Sequence, residues 1–181
     1  MEIQLKRSGI ALTNFTKKPD LNWLLININK IINQNFEGDY ILIFPFCSPK
    51  LSKKKWPYFS ELITLINNKY SSKFSVVIAP GPGEIEEAKK FKANIILNNG
   101  KSLNIIELVS LINKASFLVS NDTGPAHISA HLNKKGLVLF GSHTTPKKVS
   151  IETEKFKAIT VDNLKNLNAG KVFDKIKEVL N

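Results

Sequence analysis

Residues 117 to 127 read Phe117-Leu118-Val119-Ser120-Asn121-Asp122-Thr123-Gly124-Pro125-Ala126-His127. An apolar run of strand length gives way at Asn121 and Asp122 to a turn of small residues. Pro125 follows where a helix can begin, since the N–H that proline lacks has no partner in a first helical turn. Strand, turn and helix in so short a stretch is the unit of a parallel sheet, because parallel strands need a crossover and the crossover lays a helix on the sheet's face. In that geometry the backbone N–H groups at the helix start point into the cleft beyond the strand. With the helix dipole behind them they form an anion site of the kind that suits a diphosphate, and Gly124 permits close approach. The same residues admit a plainer reading, in which Asp122 or Thr123 only caps the helix and His127 lies on its buried face. The pattern by itself leaves both open.

The alternation continues in both directions. Upstream, Ser102 is the predicted cap of a helix carrying Leu103, Ile106, Leu108, Leu111 and Ile112. Before it come a strand Asn94-Ile95-Ile96-Leu97, a short helix over 84–91, and the turn Pro80-Gly81-Pro82-Gly83-Glu84, which is too rich in proline and glycine for regular structure. That turn ends a strand over 74–79, preceded by a helix after Trp56-Pro57 whose inner stripe is Phe59, Leu62, Ile63, Leu65 and Ile66. Tyr40-Ile41-Leu42-Ile43-Phe44 is a further strand, ending at Pro45. A first helix, opened by the turn signal Lys17-Lys18-Pro19-Asp20, carries Leu21, Leu24, Leu25, Ile28, Ile31 and Ile32 and closes near Gly38. Downstream, the strand Gly136-Leu137-Val138-Leu139-Phe140 meets the turn Gly141-Ser142-His143-Thr144-Thr145-Pro146, and an extended segment over 156–161 precedes a closing helix over 169–180. The prediction is an α/β fold, a Rossmann-like parallel sheet with helices on both faces. Such a sheet binds ligands beyond the carboxyl ends of its strands. All the unusual segments fall there: the lysine-rich loop 50–55, residues 80–84, 120–127 and 141–146.

The chain has 181 residues, 43% of them hydrophobic, which suffices for one core and falls short of two ordinary domains. No apolar run is long enough to span a bilayer, and the first residues, Met1-Glu2-Ile3-Gln4-Leu5-Lys6-Arg7, lack the apolar stretch of a secretory signal, so a cytoplasmic location is expected. A single cysteine, Cys47, excludes an internal disulfide framework and a Cys-based zinc cluster. The net charge of +11 would suit a nucleic-acid partner. That partner is discounted here, because the charge is almost all lysine, with Arg7 the one arginine, and is spread among asparagines. Lysine lacks the planar bidentate donor that base and phosphate recognition favours. A basic chain can also be drawn to an anionic membrane surface.

Four further positions carry candidate chemistry. Glu84 begins a helix, where a carboxylate can bridge the vicinal hydroxyls of a ribose or simply complement the helix dipole, and on pattern alone the dipole reading is the stronger. Lys54 and Lys55, beside Trp56-Pro57, can set a compact mobile ammonium against a phosphate, the right chemistry for neutralising a leaving diphosphate without a metal. Ser48 is a weaker phosphate contact. Cys47 and His143 read as packing or surface residues, and no spacing of serine, histidine and acid suggests a hydrolytic triad.

Taken together, over about residues 40 to 181, these segments resemble glycosyltransferase family 9, the ADP-heptose:lipopolysaccharide heptosyltransferases. The family's proline loop and Lys-x-Trp-Pro correspond to Pro45 onward and Lys54-Lys55-Trp56-Pro57, and its glycine-rich turn with glutamate to Gly81-Pro82-Gly83-Glu84. Its most specific signature, Asp-Ser/Thr-Gly-Pro-x-His, is present whole as Asp122-Thr123-Gly124-Pro125-Ala126-His127, and its Gly-x-Thr-x-Pro element is similar to residues 141–146. Ser102-Leu103 and Glu107-Leu108 sit where the family has its Ser-Leu helix. Two departures stand out: Phe46 replaces the usual glycine, and the loop before Trp56 is longer.

The resemblance implies the C-terminal, donor-binding half of a two-domain GT-B fold, with residues 39–181 as the nucleotide-sugar domain and residues 1–38 as an interdomain-like segment and first helix. It implies that Lys54 and the amides of Thr123 and Gly124 hold the diphosphate of an ADP-sugar, Glu84 the ribose, and Asp122 the sugar, with His127 nearby. No cofactor and no metal would be needed. The catalytic base and the acceptor, a lipid-linked oligosaccharide at the inner membrane face, would belong to an N-terminal domain that this sequence is expected to lack. The chain would then bind without transferring unless an acceptor-domain partner or a second copy completes it, since transfer needs the base and acceptor oriented against the donor. Half of a nucleotide-sugar epimerase, and a nucleotide-binding module without chemistry, are the alternatives.

Overall fold

The structure, a computed structural model, describes residues 20–180; the turn signal at 17–19 and the chain start lie outside the described residues. Six strands form one parallel sheet: β1 (Tyr40–Phe44), β2 (Ser75–Ile78), β3 (Asn94–Ile95), β4 (Phe117–Asn121), β5 (Gly136–Phe140) and β6 (Phe156–Thr160), in the order β3-β2-β1-β4-β5-β6. The chain builds outward from β1 to one edge, then returns beside β1 and builds to the other. Between β1 and β4, therefore, successive crossovers leave in opposite directions and open a crevice at the carboxyl ends of the two strands. Phe44 pairs with Ser120 there, so both strands end level at its floor.

Every residue of β1, β4 and β5 is buried, as expected of parallel strands covered on both faces. Alternate side chains divide between two cores. Ile41, Ile43, Val119 and Leu139 meet Phe59, Leu62, Ile63 and Ile66 of α2 (Phe59–Tyr70) and Val172 and Ile176 of α7 (Ala169–Leu180). Leu42, Phe44, Leu118, Val138 and Phe140 face the opposite layer. There they pack on Ile32 of α1 (Asn29–Asn35), Leu111 and Ile112 of α4 (Ile105–Lys114) and Ala126 and Ala130 of α5 (Gly124–His131). Two short helices, α3 (Ile85–Ala88) and α6 (Pro146–Val149), follow β2 and β5. At Gly136 a Cβ would lie 2.7 Å from the Leu118 carbonyl oxygen and 2.8 Å from the Phe156 ring, so the buried aromatic of β6 occupies the space a side chain would need.

The predicted first helix is interrupted. One 3-10 turn, Asn22–Leu24, is followed by non-helical chain to Ile28 before α1 begins. Asp20 Oδ1 accepts the Asn22 N–H at 2.9 Å and Asn27 Oδ1 the Asn29 N–H at 3.0 Å, local bonds that compete with a continuous helix. Ser110 Oγ holds the intervening Ile26 N–H at 2.9 Å.

Ser102 does not cap α4. Asn104 does, because Glu107 stands three residues after it and completes a reciprocal capping box, Asn104 Oδ1 accepting from the Glu107 N–H at 3.0 Å and Glu107 Oε2 from the Asn104 N–H at 2.9 Å. Ser102 has Ile105 at that position.

The third strand stops at Ile95, since Asn35 of α1 takes both backbone groups of Leu97 at 3.0 and 3.1 Å. The lysine-rich loop is two 3-10 turns, Pro49–Lys54, kinked at Leu51.

Candidate functional site

Asp122 is the first residue beyond β4, at the floor of the crevice, with its side chain 2% exposed. Three side chains from three segments converge on it. Lys54 Nζ lies 2.6 Å from Oδ2, His143 Nε2 3.1 Å from the same oxygen, and His127 Nε2 3.4 Å from Oδ1. Burial by itself would push the carboxyl up, but hydrogen bonds from His127, Lys54 and His143 and the Lys54 charge outweigh it and hold the group well below the usual carboxylate range. Asp122 is therefore a fixed negative charge paired with a lysine.

The position of Lys54 follows from Asn121, the last residue of β4. Its Oδ1 accepts the Trp56 N–H at 3.0 Å, and its Nδ2 donates to the carbonyls of Pro45 at 3.0 Å and Phe46 at 3.4 Å. One buried amide thus clamps the chain on both sides of the lysine segment to the end of β4. Trp56, 1% exposed, anchors the far side by donating from Nε1 to the Leu167 carbonyl at 2.7 Å.

The helix start at Thr123 and Gly124 carries no side-chain cap: Thr123 is the N-cap residue and makes no capping bond. Asp122 directs its oxygens to lysine and histidine instead. Of the two readings that the pattern left open, simple capping is not what the geometry displays, and the first-turn N–H groups have no capping oxygen. His127 is 39% exposed, while Ala126, Ser129 and Ala130 form the buried face of α5. A Cβ at Gly124 would meet no protein atom within 4 Å, so packing within the protein does not require glycine there.

Beside this cluster lies a cavity of about 350 Å³ with apolar walls from Phe44, Phe46, Ala79, Pro80, Leu103 and Leu108, and with Ser48, Glu84 and Thr123 among its polar lining. Glu84 immediately precedes α3 and accepts the Gly81 N–H at 2.8 Å, so its carboxylate is bound within its own turn. Phe46 is 7% exposed and packs edge-on against Phe91 with ring centroids 6.0 Å apart. Cys47 also lines the cavity, and burial pushes its thiol up. Lys55 points elsewhere, pairing with Glu87 at 2.6 Å on the surface.

Two residues of the cluster escaped the sequence reading. His143 was assigned to packing or surface, yet its ring stacks on Phe140 at 5.8 Å and its Nε2 reaches Asp122. Its place in the turn directly after β5 was the available signal. Asn121 was placed in the turn after the strand, but it is the last, fully buried residue of β4, and an amide there has to find partners.

The sequence model of glycosyltransferase family 9 (heptosyltransferase) matches residues 7–177. The fold is similar to that of Escherichia coli heptosyltransferase WaaC with ADP, at a TM-score of 0.71 and 22% identity, covering 98% of this chain and 54% of that one. The structure of E. coli ADP-heptose lps heptosyltransferase II is similar at a TM-score of 0.71 and 16% identity, over 94% of this chain and 55% of the other. Methanocaldococcus jannaschii UDP-GlcNAc 2-epimerase, in complex with UDP-GlcNAc and UDP, is similar at a TM-score of 0.63 and 17% identity, over 99% of this chain and 52% of that one. The chain thus spans about half the length of these structures. No curated protein matches its sequence. Among the described residues, no helix is long and apolar enough to cross a membrane.

Proposed function

This chain belongs to glycosyltransferase family 9, and on that premise we propose that it binds the donor, an ADP-sugar such as ADP-heptose, for transfer to lipopolysaccharide core. The observation that carries the proposal is the convergence of Lys54, His127 and His143 on buried Asp122 beside an uncapped helix start and an apolar cavity.

The cavity's volume and walls suit the flat face of a nucleobase. Glu84 would exchange the Gly81 N–H for the ribose hydroxyls. The diphosphate would lie against the amides of Thr123 and Gly124 with Ser48 at its flank, which gives Gly124 a reason to lack a Cβ. Lys54 is tied to Asp122, and the diphosphate would compete for it. Donor binding then frees the Asp122 carboxylate to accept hydrogen bonds from the sugar, with His127 beside it.

Departure of ADP places negative charge on its terminal phosphate, where Lys54 and the helix amides would stabilise it without a metal ion or separate cofactor. The acceptor hydroxyl would attack the anomeric carbon from the opposite face, inverting its configuration, and lose its proton to a base. We assign that base and the acceptor site to an acceptor domain outside residues 39–181. Residues 39–181 would be the nucleotide-sugar domain, which alone binds and does not transfer. Its basic charge would favour a cytoplasmic site of action at the inner membrane face, where a lipid-linked oligosaccharide is presented.

The fold shared with the epimerase supports a second reading, half of a nucleotide-sugar epimerase, in which the donor is consumed with no acceptor present. Titration calorimetry with ADP, ADP-heptose, UDP and GDP, with Lys54→Ala as control, tests the first. Selective binding of the adenine nucleotides that the variant loses supports it. Binding of none of the four would leave a nucleotide-site remnant without function. Product formation from the donor alone would favour the epimerase.

A further inference from the structure

We propose that a second cavity, which meets the Asp122 cluster at His143, binds an anionic saccharide, a sugar bearing a phosphate or a carboxylate. It encloses about 550 Å³ between the lysine segment, the turn after β5 and the chain following β6, and no residue lines both cavities. Lys53, Lys55, Ser142, His143, Asn163 and Lys165 face it.

Its charge is uneven. Lys54 is taken by Asp122 and Lys55 by Glu87, but Lys53 and Lys165 have no acidic partner within ion-pair distance among the described residues. Two free ammonium groups therefore stand against the single carboxylate of Asp162 in the lining, and the balance favours an anion. Hydroxyl and amide groups supply the rest. Asn163 uses Oδ1 to accept the Lys165 N–H at 3.0 Å, which leaves its Nδ2 able to donate, and Ser142 can donate or accept. Asp162 is the usual type of acceptor for a sugar hydroxyl. Leu164 gives the lining its one aliphatic side chain. Apart from the His143 imidazole, no aromatic ring and no broad apolar wall lines the cavity, which disfavours a second nucleobase.

The walls are held from outside. Tyr58 donates to the Lys165 carbonyl at 2.9 Å and the Trp56 indole to the Leu167 carbonyl at 2.7 Å, so the segment after β6 is fixed to the start of α2. His143 is shared between cavity and cluster: its ring lines the cavity while its Nε2 touches Asp122. A saccharide seated there would touch the Asp122 cluster through His143. That the cavity takes an anionic sugar rests on its own residues and does not depend on the proposed function.

The test is amide-resolved NMR titration of the chain with glucose 6-phosphate, glucuronate and glucose, each with and without saturating ADP. The expected result is shifts at Ser142, Asn163 and Lys165 with one or both anionic sugars and none with glucose, the tighter of the two identifying phosphate or carboxylate. A Lys53→Gln/Lys165→Gln double variant should bind that sugar about 10-fold or more weakly, as loss of two charge-assisted contacts requires, with ADP affinity within about 2-fold of the parent. Equal response to glucose, shifts scattered over lysines elsewhere, or unchanged affinity in the double variant would overturn the proposal. Anionic sugar bound without ADP would sink the donor assignment alone, and ADP bound without the sugar would sink this cavity alone.

Discussion

Asp122 and Glu84 occupy comparable stations, each a carboxylate in the turn between a strand and the helix that follows it, yet their surroundings differ. Asp122 gathers partners 68 and 21 residues away in sequence and is 2% exposed. Glu84 bonds to Gly81, three residues earlier in the same turn. One carboxylate joins three separate segments of the chain, while the other braces a single loop. The difference separates two ways in which a binding site can be built. A charge woven between distant segments serves stability and binding together, whereas a charge confined to its turn can serve binding alone.

Asp122→Ala is the strongest attempt to break this comparison. It leaves Lys54 and two histidines without their acceptor. Loss of a fully buried partner would cost several kcal/mol, and with Lys54 22% exposed the expected loss is about 2 kcal/mol, read as a lower denaturation midpoint in a protein that still folds. Donor affinity should fall in the same variant by about 10-fold or more. Unchanged stability and affinity would reduce Asp122 to the standing of Glu84.

Lys54→Ala comes next. Asp122 keeps both histidines, so the stability loss should be under about 1 kcal/mol, while calorimetry should report ADP binding about 10-fold weaker. Glu84→Gln should leave the midpoint within error and weaken ADP by only about 3- to 10-fold, since the amide preserves one acceptor and loses the charge. A clear drop in its midpoint would erase the contrast between the two carboxylates.

The smallest effect is in acid. Because the folded Asp122 carboxyl sits below its unfolded value of about 3.9, the unfolded chain takes up the proton first as pH falls. The stability that Asp122 contributes is fully present above that value and is lost as the solution is acidified toward the folded one. Denaturation midpoints at pH 7, 5 and 3 should stay level between the first two and then fall, and in Asp122→Asn the fall should be shallower.

The sheet was legible because its inner strands are unbroken apolar runs bounded by turns, and that signal needs no knowledge of distant contacts. Ser102 as a cap failed for a local reason: Asn104, two residues on, has Glu107 three residues after it and completes a capping box that Ser102 cannot. The interrupted first helix shows the limit of periodicity, since Leu21, Leu24 and Leu25 fit a helical stripe while Asp20 and Asn27 offered the backbone other bonds. At the site, Asp122, Thr123, Gly124 and His127 could be picked out because they are contiguous. The pairing of Asp122 with Lys54 and His143 was not readable, since it depends on which loops the strand order brings together at the crevice, and a sequence does not print its strand order.

Asn121 has a consequence for how such a protein can change. One side chain grips the chain at Pro45 and Phe46 on one side of the lysine segment and at Trp56 on the other, in the manner of a ring that closes the neck of a bag. Whatever lies between those points can lengthen or change composition while its two ends keep their places, and the entropy of closing a longer loop rises only slowly with its length. The segment behaves as an exchangeable insert, and a loop of different length grafted between residues 48 and 54 should alter which ligands the crevice prefers without disturbing the sheet beneath it.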